Sequence, residues 1–210
     1  RAQCAPDGTL DATGVERLIC PQTRAVVMTH ASNVCGTILP ISDVAEVCHA
    51  HGMPLIVDAA QTAGVVPVSL CEWGASVVCF TGHKGLLGPQ GIGGCVLDPE
   101  FATQIDALVA GGTGSHSDSE QMPSFMPDRL EAGTPNLPGI AGLGAGLAWL
   151  GERGIDTVRT HELALTQRLL DGLAPLAAAG RVRLVGLPGT EGRTGVVSIQ
   201  TPGHDLAQVA

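Results

Sequence analysis

The single lysine of the chain, Lys84, is the residue whose type and position most directly suggest chemistry. It follows the apolar segment SVVCF and lies in the glycine-rich stretch TGHKGLLGPQGIGG, so its amine is expected at the carboxyl end of a strand. Ligands bind at this edge in open α/β sheets. Asp58 ends another apolar segment, PLIVDAA, and Gln61 follows shortly after it. An amine, a carboxylate and an amide are therefore predicted at one sheet edge, although a surface lysine on a turn and a helix-capping aspartate are simpler alternatives.

The surroundings expected for Asp58 indicate what kind of group could bind beside it. We expect its carboxylate to be buried at the strand end, where an unpaired charge is costly and needs a partner. The protonated ring nitrogen of a pyridine would be such a partner. Pyridoxal phosphate needs a lysine for its Schiff base, a carboxylate at its ring nitrogen and donors for its phosphate. Lys84, Asp58, Thr81 and His83 supply these groups.

The order of apolar segments predicts a scaffold that brings strand ends together. Between residues 24 and 97, short apolar runs alternate with helical stretches in the rhythm of βαβ units. Runs such as SVVCF lack in–out alternation, which is typical of strands buried on both faces of a parallel sheet. The predicted fold class is therefore α/β, with a mainly parallel sheet flanked by helices. A dinucleotide site at GIGG is disfavoured, because such a motif should open a helix, whereas here it leads into a predicted strand.

The pattern changes after Glu100. Residues 111–136 are rich in Gly, Ser, Pro and Asp and have no clear periodicity, which predicts a long loop that is functional or disordered. Two helices are expected next, followed by the strands RVRLVGL and TGVVSIQ. We predict that residues 1–152 are the central part of a large domain. Residues 153–210 are predicted to be a connecting helix and the beginning of a smaller α+β domain, in a chain that is truncated at both ends.

Charge, hydropathy and cysteine content argue against several classes of partner and site. The formal net charge is −9, shared by both halves of the chain, which disfavours a nucleic acid or an anionic membrane as partner. No apolar stretch is long enough to span a bilayer. The seven cysteines are odd in number and mostly lie in apolar runs, which predicts reduced, buried thiols in a cytoplasmic protein. No metal site is predicted, because no cysteine pair has CxxC spacing and His49 and His51 point to different faces of a predicted helix.

Four segments together resemble the class V aminotransferases of fold type I, in the branch of cysteine desulfurases and selenocysteine lyases. The segments are THASNVCGT, VDAAQ, TGHKGLLGPQGIGG and RLEAGTPN, which occur in the family's order and at similar spacing. The resemblance implies pyridoxal 5'-phosphate as cofactor, the fold of the pyridoxal-phosphate transferases for the large domain, and a homodimer.

The resemblance also implies roles for individual residues. Lys84 would be the Schiff-base lysine and Asp58 the partner of the pyridine nitrogen, both catalytic. Gln61 would bond the ring hydroxyl oxygen, and Asn33 would lie near the substrate carboxylate and the ring. Thr81 and His83 would contact the cofactor phosphate. Gly133 and Thr134 would contact the phosphate in the neighbouring subunit. Simpler alternatives are a turn residue for Asn33, a core histidine for His83 and a helix N-terminal hydroxyl for Thr134.

The implied activity is cleavage of the C–S bond of a small amino acid, cysteine, to alanine and persulfide sulfur that passes to a cysteine thiolate or an acceptor protein. The same motifs serve transamination and β-elimination, so a class V aminotransferase and a β-lyase stay open. None of the seven cysteines can be nominated as the sulfur acceptor, and Cys35 beside Asn33 is expected to pack rather than react. A truncated, non-catalytic remnant of the fold is a further alternative.

Overall fold

The computed structural model describes residues 1–116, 118–205 and Ala207. The last part of the predicted second domain, residues 206 and 208–210, lies outside the described residues, as does Ser117 in the long loop. The α/β prediction is confirmed for the part described. None of the described helices is long and apolar enough to cross a membrane.

A four-stranded sheet holds the first half of the chain together. Its strands, in spatial as well as chain order, are β1 (Val26–Thr29), β2 (Leu55–Asp58), β3 (Val77–Thr81) and β4 (Gly93–Leu97). The first three strands are parallel, and β4 runs antiparallel to β3 at the edge of the sheet. The prediction of a mainly parallel sheet is therefore confirmed, and the apolar segments SVVCF and GIGGCVLD form neighbouring strands.

Short helices cover one face of this sheet. They are α1 (Ala12–Glu16), α2 (Ile41–Ala50) and α3 (Leu70–Trp73), and α4 (Pro99–Ala102) follows β4. The core lies between the buried side of α2, with Val44 and Cys48 fully enclosed, and the side chains of Leu55, Val57 and Val78. Side chains alternate along a strand, so Asp58 and its neighbours in register project from the opposite face. Val27, on that face of β1, is 69% exposed, so the face is open there.

The second half of the chain contains two long helices and a small sheet. No helix or strand is assigned between α4 and α5 in the described residues, as predicted for the long loop. The helices are α5 (Leu137–Arg153) and α6 (Ile155–Ala178), and β5 (Arg183–Val185) pairs antiparallel with β6 (Ser198–Gln200). The predicted division at residues 152 and 153 stays a prediction.

The prediction that the thiols are buried is wrong for most of the seven cysteines, all of which are free in the structure. Only Cys35 and Cys48 are buried, Cys79 is half-buried, and the exposed cysteines are Cys4, Cys20, Cys71 and Cys95. Cys95 is exposed because it lies on the edge strand β4, where an apolar sequence run does not imply cover on both sides.

Candidate functional site

The carboxyl ends of the three parallel strands bring most of the predicted site residues to one edge of the sheet. Thr29, Asp58 and Cys79 are register partners across β1, β2 and β3. Two further hydrogen bonds continue the pairing past the strand ends, from His30 N–H to the Asp58 carbonyl and from Ala59 N–H to the Cys79 carbonyl, both 2.8 Å. The segments that carry Asn33, Gln61 and Lys84 therefore all start from this edge.

The turn that carries Lys84 packs backbone against backbone on the turn that follows Gln61. Gly64 has φ +90°, and a Cβ there would collide with the backbone of Gly85. A Cβ on Gly85 would in turn lie 2.6 Å from the Ala63 carbonyl oxygen. This close approach requires glycine on both sides. It joins the two loops and so fixes where the Lys84 turn leaves β3.

Hydrogen bonds within the turn and a contact with α5 complete the support of Lys84. Leu87 N–H donates to the Lys84 carbonyl at 2.9 Å, and Gly88 N–H donates to the Gly82 carbonyl at 2.8 Å. Gly146 of α5 lies against the Leu86 carbonyl, where any side chain would collide. The backbone around Lys84 is thus held on both sides, while its side chain is exposed.

Asp58 is exposed, so the expectation of a buried carboxylate is wrong. One of its oxygens, Oδ1, accepts a hydrogen bond from Ala60 N–H at 2.9 Å. No helix begins directly after Asp58, so this bond closes a turn and is not the helix cap considered as the alternative. The carboxylate projects from the same face of the sheet as Val27 of β1, which is also exposed. Within the described residues neither Asp58 nor Lys84 takes part in an ion pair.

A buried histidine under this edge was missed by sequence reasoning. The His30 side chain is 6% exposed, its Nδ1 lies 2.9 Å from Thr62 Oγ1, and its ring meets Trp73 edge-on with centroids 4.8 Å apart. Burial lowers the pKa of His30 to about 4, so the ring is neutral at physiological pH. The contact ties β1 to the turn that follows Gln61. The signal for it was His30 in THASNVCGT, next to an apolar strand.

Asn33 lies in an exposed turn that a buried arginine fastens to the second half of the chain. Ser32 Oγ accepts from the backbone N–H groups of Val34 and Cys35, each at 3.2 Å. The Arg193 side chain is 1% exposed, and burial lowers its pKa. Its guanidinium donates to four carbonyl oxygens, those of Leu187 (2.6 Å), Val196 (2.5 Å), Thr194 (3.3 Å) and Cys35 (3.4 Å).

Further contacts join the same two segments. Thr37 and Arg193 form an isolated antiparallel bridge, Ile38 N–H donates to the Gly192 carbonyl and Thr194 N–H donates to the Gly36 carbonyl, both at 2.8 Å. Burial raises the pKa of the Cys35 thiol, but hydrogen bonds from Ser32 and Thr37 outweigh it, so that the pKa lies below its usual value. Cys35 is packed here, as expected. The segment that carries Asn33 is therefore positioned from the second half of the chain.

His83 and Thr81 lie beside Lys84, whereas Gly133 and Thr134 lie elsewhere. His83 is exposed, so the alternative of a core histidine is wrong, and Thr81 is half-buried at the end of β3. Gly133 and Thr134 line a groove of about 620 Å³ along β4 with Gly93 and Cys95, and the lining of this groove includes neither Lys84 nor Asp58. Asn136, not Thr134, caps α5 by accepting from Gly139 N–H at 3.0 Å.

The donor set fits the cofactor expected from the sequence. Pyridoxal phosphate carries an aldehyde, a ring nitrogen and a phosphate, which call for an amine, a carboxylate and hydrogen-bond donors. Lys84 offers an accessible amine, Asp58 an accessible carboxylate, and Thr81 and His83 a hydroxyl and an imidazole at neighbouring strand ends. No cluster of metal-ligating side chains competes for this role in the part of the chain described.

Known proteins that are similar to this chain indicate its family. The family model for aminotransferase class-V matches residues 1–210. A probable cysteine desulfurase from Halalkalibacterium halodurans is 33% identical, over 97% of this chain and 50% of the relative. The apo structure of cysteine desulfurase from Thermococcus onnurineus NA1 matches with a TM-score of 0.87 at 30% identity, over 100% of this chain and 52% of that chain. The structure of SspA in complex with cysteine matches with a TM-score of 0.59 at 28% identity, over 69% of this chain and 38% of that chain.

The chain thus spans about half the length of the curated relatives that it matches. The predicted fold, the α/β fold type I of pyridoxal-phosphate transferases, is confirmed by the structural match with a cysteine desulfurase along the whole chain. The resemblance expected from the four sequence motifs is confirmed as well. The chain belongs to the aminotransferase class-V family, on the branch whose named relatives are cysteine desulfurases.

Proposed function

We propose that the protein is a pyridoxal-phosphate enzyme that cleaves the C–S bond of cysteine. The observation that supports the proposal is that Asp58 ends β2, while the turn that carries Lys84, the only lysine of this chain, follows the neighbouring parallel strand β3. Members of this family use pyridoxal phosphate, and relatives that match nearly the whole chain are named cysteine desulfurases. A relative of known structure binds cysteine. The proposal concerns the whole protein, because this chain spans about half of those relatives.

Two residues would carry the chemistry. Lys84 Nζ would hold the cofactor and, once released by the amino group of the substrate, accept the proton from the substrate Cα. The Asp58 carboxylate would hold the proton on the ring nitrogen. Pyridoxal phosphate, when bound, supplies an electron sink for the pair left behind by the Cα proton. The open face around Asp58 leaves room for such a ring, since the carboxylate is exposed.

The other residues would bind and orient. Thr81 and His83 are proposed to donate to the phosphate, Gln61 to bond the ring hydroxyl oxygen, and Asn33 to lie near the substrate carboxylate. Gly133 and Thr134 line a groove at β4 that excludes Lys84 and Asp58, which supports the proposal that they serve the phosphate of a second subunit in a homodimer. A cytoplasmic location and the domain boundary near residue 152 are proposed on the sequence pattern alone.

The sulfur balance defines the products. Cysteine and a thiol give alanine and a persulfide: the C–S bond breaks, an S–S bond forms, and the thiol proton ends on the substrate carbon. The accepting thiol is proposed to belong to the protein or to an acceptor protein, and none of the seven cysteines of this chain is assigned to it.

The test begins with the cofactor and ends with the products. After addition of pyridoxal phosphate and borohydride, peptide mapping should find the cofactor on Lys84, the only lysine of this chain. The matched control is Lys84→Arg, which keeps the charge but cannot be modified. The loaded protein is then given cysteine and dithiothreitol, and alanine and sulfide in equal amounts are expected.

Every other product pattern overturns part of the proposal. Pyruvate and ammonia would identify a β-lyase, and an oxoacid with conversion of the cofactor to its amine would identify an aminotransferase. Cofactor on the chain terminus alone, with Lys84 unmodified, would refute the site and favour the non-catalytic alternative.

A further inference from the structure

Two cysteines face each other across β3 and β4. Cys79 and Cys95 are direct partners in the antiparallel register, and no other cysteine lies on a described strand. The pairing of β3 with β4 therefore sets the distance between the two cysteines. This feature plays no part in the function proposed above and does not rest on it.

The hydrogen-bond pattern fixes the kind of pair. Gly82 N–H donates to the Ile92 carbonyl, and Asp98 N–H donates to the Ser76 carbonyl, both at 2.9 Å. Hydrogen-bonded and non-hydrogen-bonded pairs alternate along an antiparallel ladder. Because the pairs Ser76–Asp98 and Gly82–Ile92 are hydrogen-bonded, the alternation makes Cys79–Cys95 a non-hydrogen-bonded pair. In such a pair the Cα atoms are about 4.5 Å apart and the side chains approach most closely. Disulfides form at Cα separations of about 4.4–6.8 Å.

The surroundings of the pair suit a redox reaction. Cys95 is exposed on the edge strand and Cys79 is half-buried beside it. The pKa of the Cys79 thiol is raised by burial first and then by the nearby Cys95 and Asp58. Asp58 is the register partner of Cys79 on β2, so the three side chains form one row on the same face of the sheet. Among the described residues, neither this row nor any other group of three or more His, Cys, Asp or Glu side chains has an arrangement that could hold a metal ion.

We propose that Cys79 and Cys95 form a reversible disulfide, a redox-modification site at the base of the turn that carries Lys84. The oxidant is a small disulfide such as glutathione disulfide. The accessible Cys95 thiolate attacks one of its sulfur atoms and releases one glutathione thiolate. The Cys79 thiolate then attacks the Cys95 sulfur of the mixed disulfide and releases the second. Two cysteine thiols are oxidised, one glutathione disulfide is reduced to two thiols, and the two protons pass to the departing thiolates.

The consequence is a closed loop around the candidate site. The disulfide would link the ends of the segment 79–95, which contains Thr81, His83 and Lys84. It would tie the edge strand to β3 and limit the freedom of that segment in partly unfolded states. The raised pKa of Cys79 makes its thiolate scarce at neutral pH, so the ring-closing step should speed up as the pH rises.

The experiment maps the disulfide directly and uses no added cofactor. The protein is equilibrated with glutathione disulfide and glutathione at several ratios, quenched with N-ethylmaleimide and cleaved at glutamate and lysine. Cleavage after Glu72, Lys84 and Glu100 yields the peptides 73–84 and 85–100, each with a single cysteine. We expect these two peptides to be cross-linked, with a joint mass two hydrogen atoms below that of the reduced pair.

Variants separate this site from general thiol oxidation. In Cys79→Ser and Cys95→Ser the remaining cysteine should stop at the mixed disulfide with glutathione. The control is Cys71→Ser, which removes an exposed cysteine on α3 and should leave the yield of the cross-link unchanged. Separate mixed disulfides on Cys79 and Cys95 at every ratio, a cross-link of either to another cysteine, or Cys95–Cys95 links between molecules would overturn the proposal.

Discussion

Replacement of Gly64 by alanine should loosen the turn that carries Lys84. Gly64 has φ +90°, and its added Cβ would collide with the Gly85 backbone, the residue directly after Lys84. The matched control is Gly52→Ala, because Gly52 also has a positive φ, +61°, but a Cβ there meets nothing within 4 Å. Both variants share the cost of an alanine in the left-handed region, and only Gly64→Ala adds a collision.

The two contributions can be separated by magnitude. A non-glycine residue in the left-handed region destabilises the folded state by about 1–2 kcal/mol, and this cost applies to both variants. Forcing an extra carbon into a packed site costs about 1–3 kcal/mol more. The clash is with backbone, which cannot rotate away as a flexible side chain would. We therefore expect Gly64→Ala to be less stable than Gly52→Ala by about 2 kcal/mol, or about 4–8 °C in melting temperature for a chain of this size.

Thermal unfolding followed by circular dichroism measures this difference, and the yield of cofactor attached to Lys84 after borohydride reports the local effect. Attachment should fall in Gly64→Ala and stay at the unaltered level in Gly52→Ala, because only the first variant displaces the Lys84 turn. Equal melting temperatures for the two variants would show that the turns can move apart at little cost, and the argument for a fixed Lys84 turn would fail.

Three further outcomes follow from the structure. Arg193→Met should lower the free energy of unfolding by about 4 kcal/mol in urea, since four carbonyls lose a buried donor, whereas Arg183→Met at an exposed position should change it by less than about 0.5 kcal/mol. The folded-state pKa of His30 lies below its unfolded value, so its neutral form contributes stability that is complete above the unfolded pKa of 6.5 and is lost as the pH falls towards 4. The free energy of unfolding is measured in urea at about pH 7 and at about pH 4.5. Its decrease between these pH values should be about 2–3 kcal/mol larger in the unaltered protein than in His30→Asn, and equal decreases would contradict the assignment. Asp58→Asn in the whole enzyme should keep cofactor on Lys84 but slow loss of the substrate Cα proton about a hundredfold or more, as followed by exchange with deuterated water, and an unchanged exchange rate would remove Asp58 from the mechanism.

Local sequence patterns were enough to predict the sheet and the residues at its carboxyl edge. Apolar runs bounded by polar and glycine-rich stretches mark the strands, and parallel strands must end at one edge, so Asp58, Thr81 and Lys84 could be placed together from their positions alone. The only lysine of the chain was visible without any structure. These features depend on neighbouring residues and on strand direction, both of which the chain order contains.

Burial and the contacts between distant segments could be known only from the tertiary structure. Asp58 and Cys95 lie in or beside apolar runs, yet they are exposed, because cover depends on which segments pack on a face and on which strand forms the edge. The hydrogen bond from Arg193 to the carbonyl of Cys35 joins residues far apart in the chain, and no local sequence pattern predicts it. The same holds for the backbone contact of Gly64 with Gly85, since a glycine in a turn suggests only freedom of φ until the fold brings a second chain segment against it.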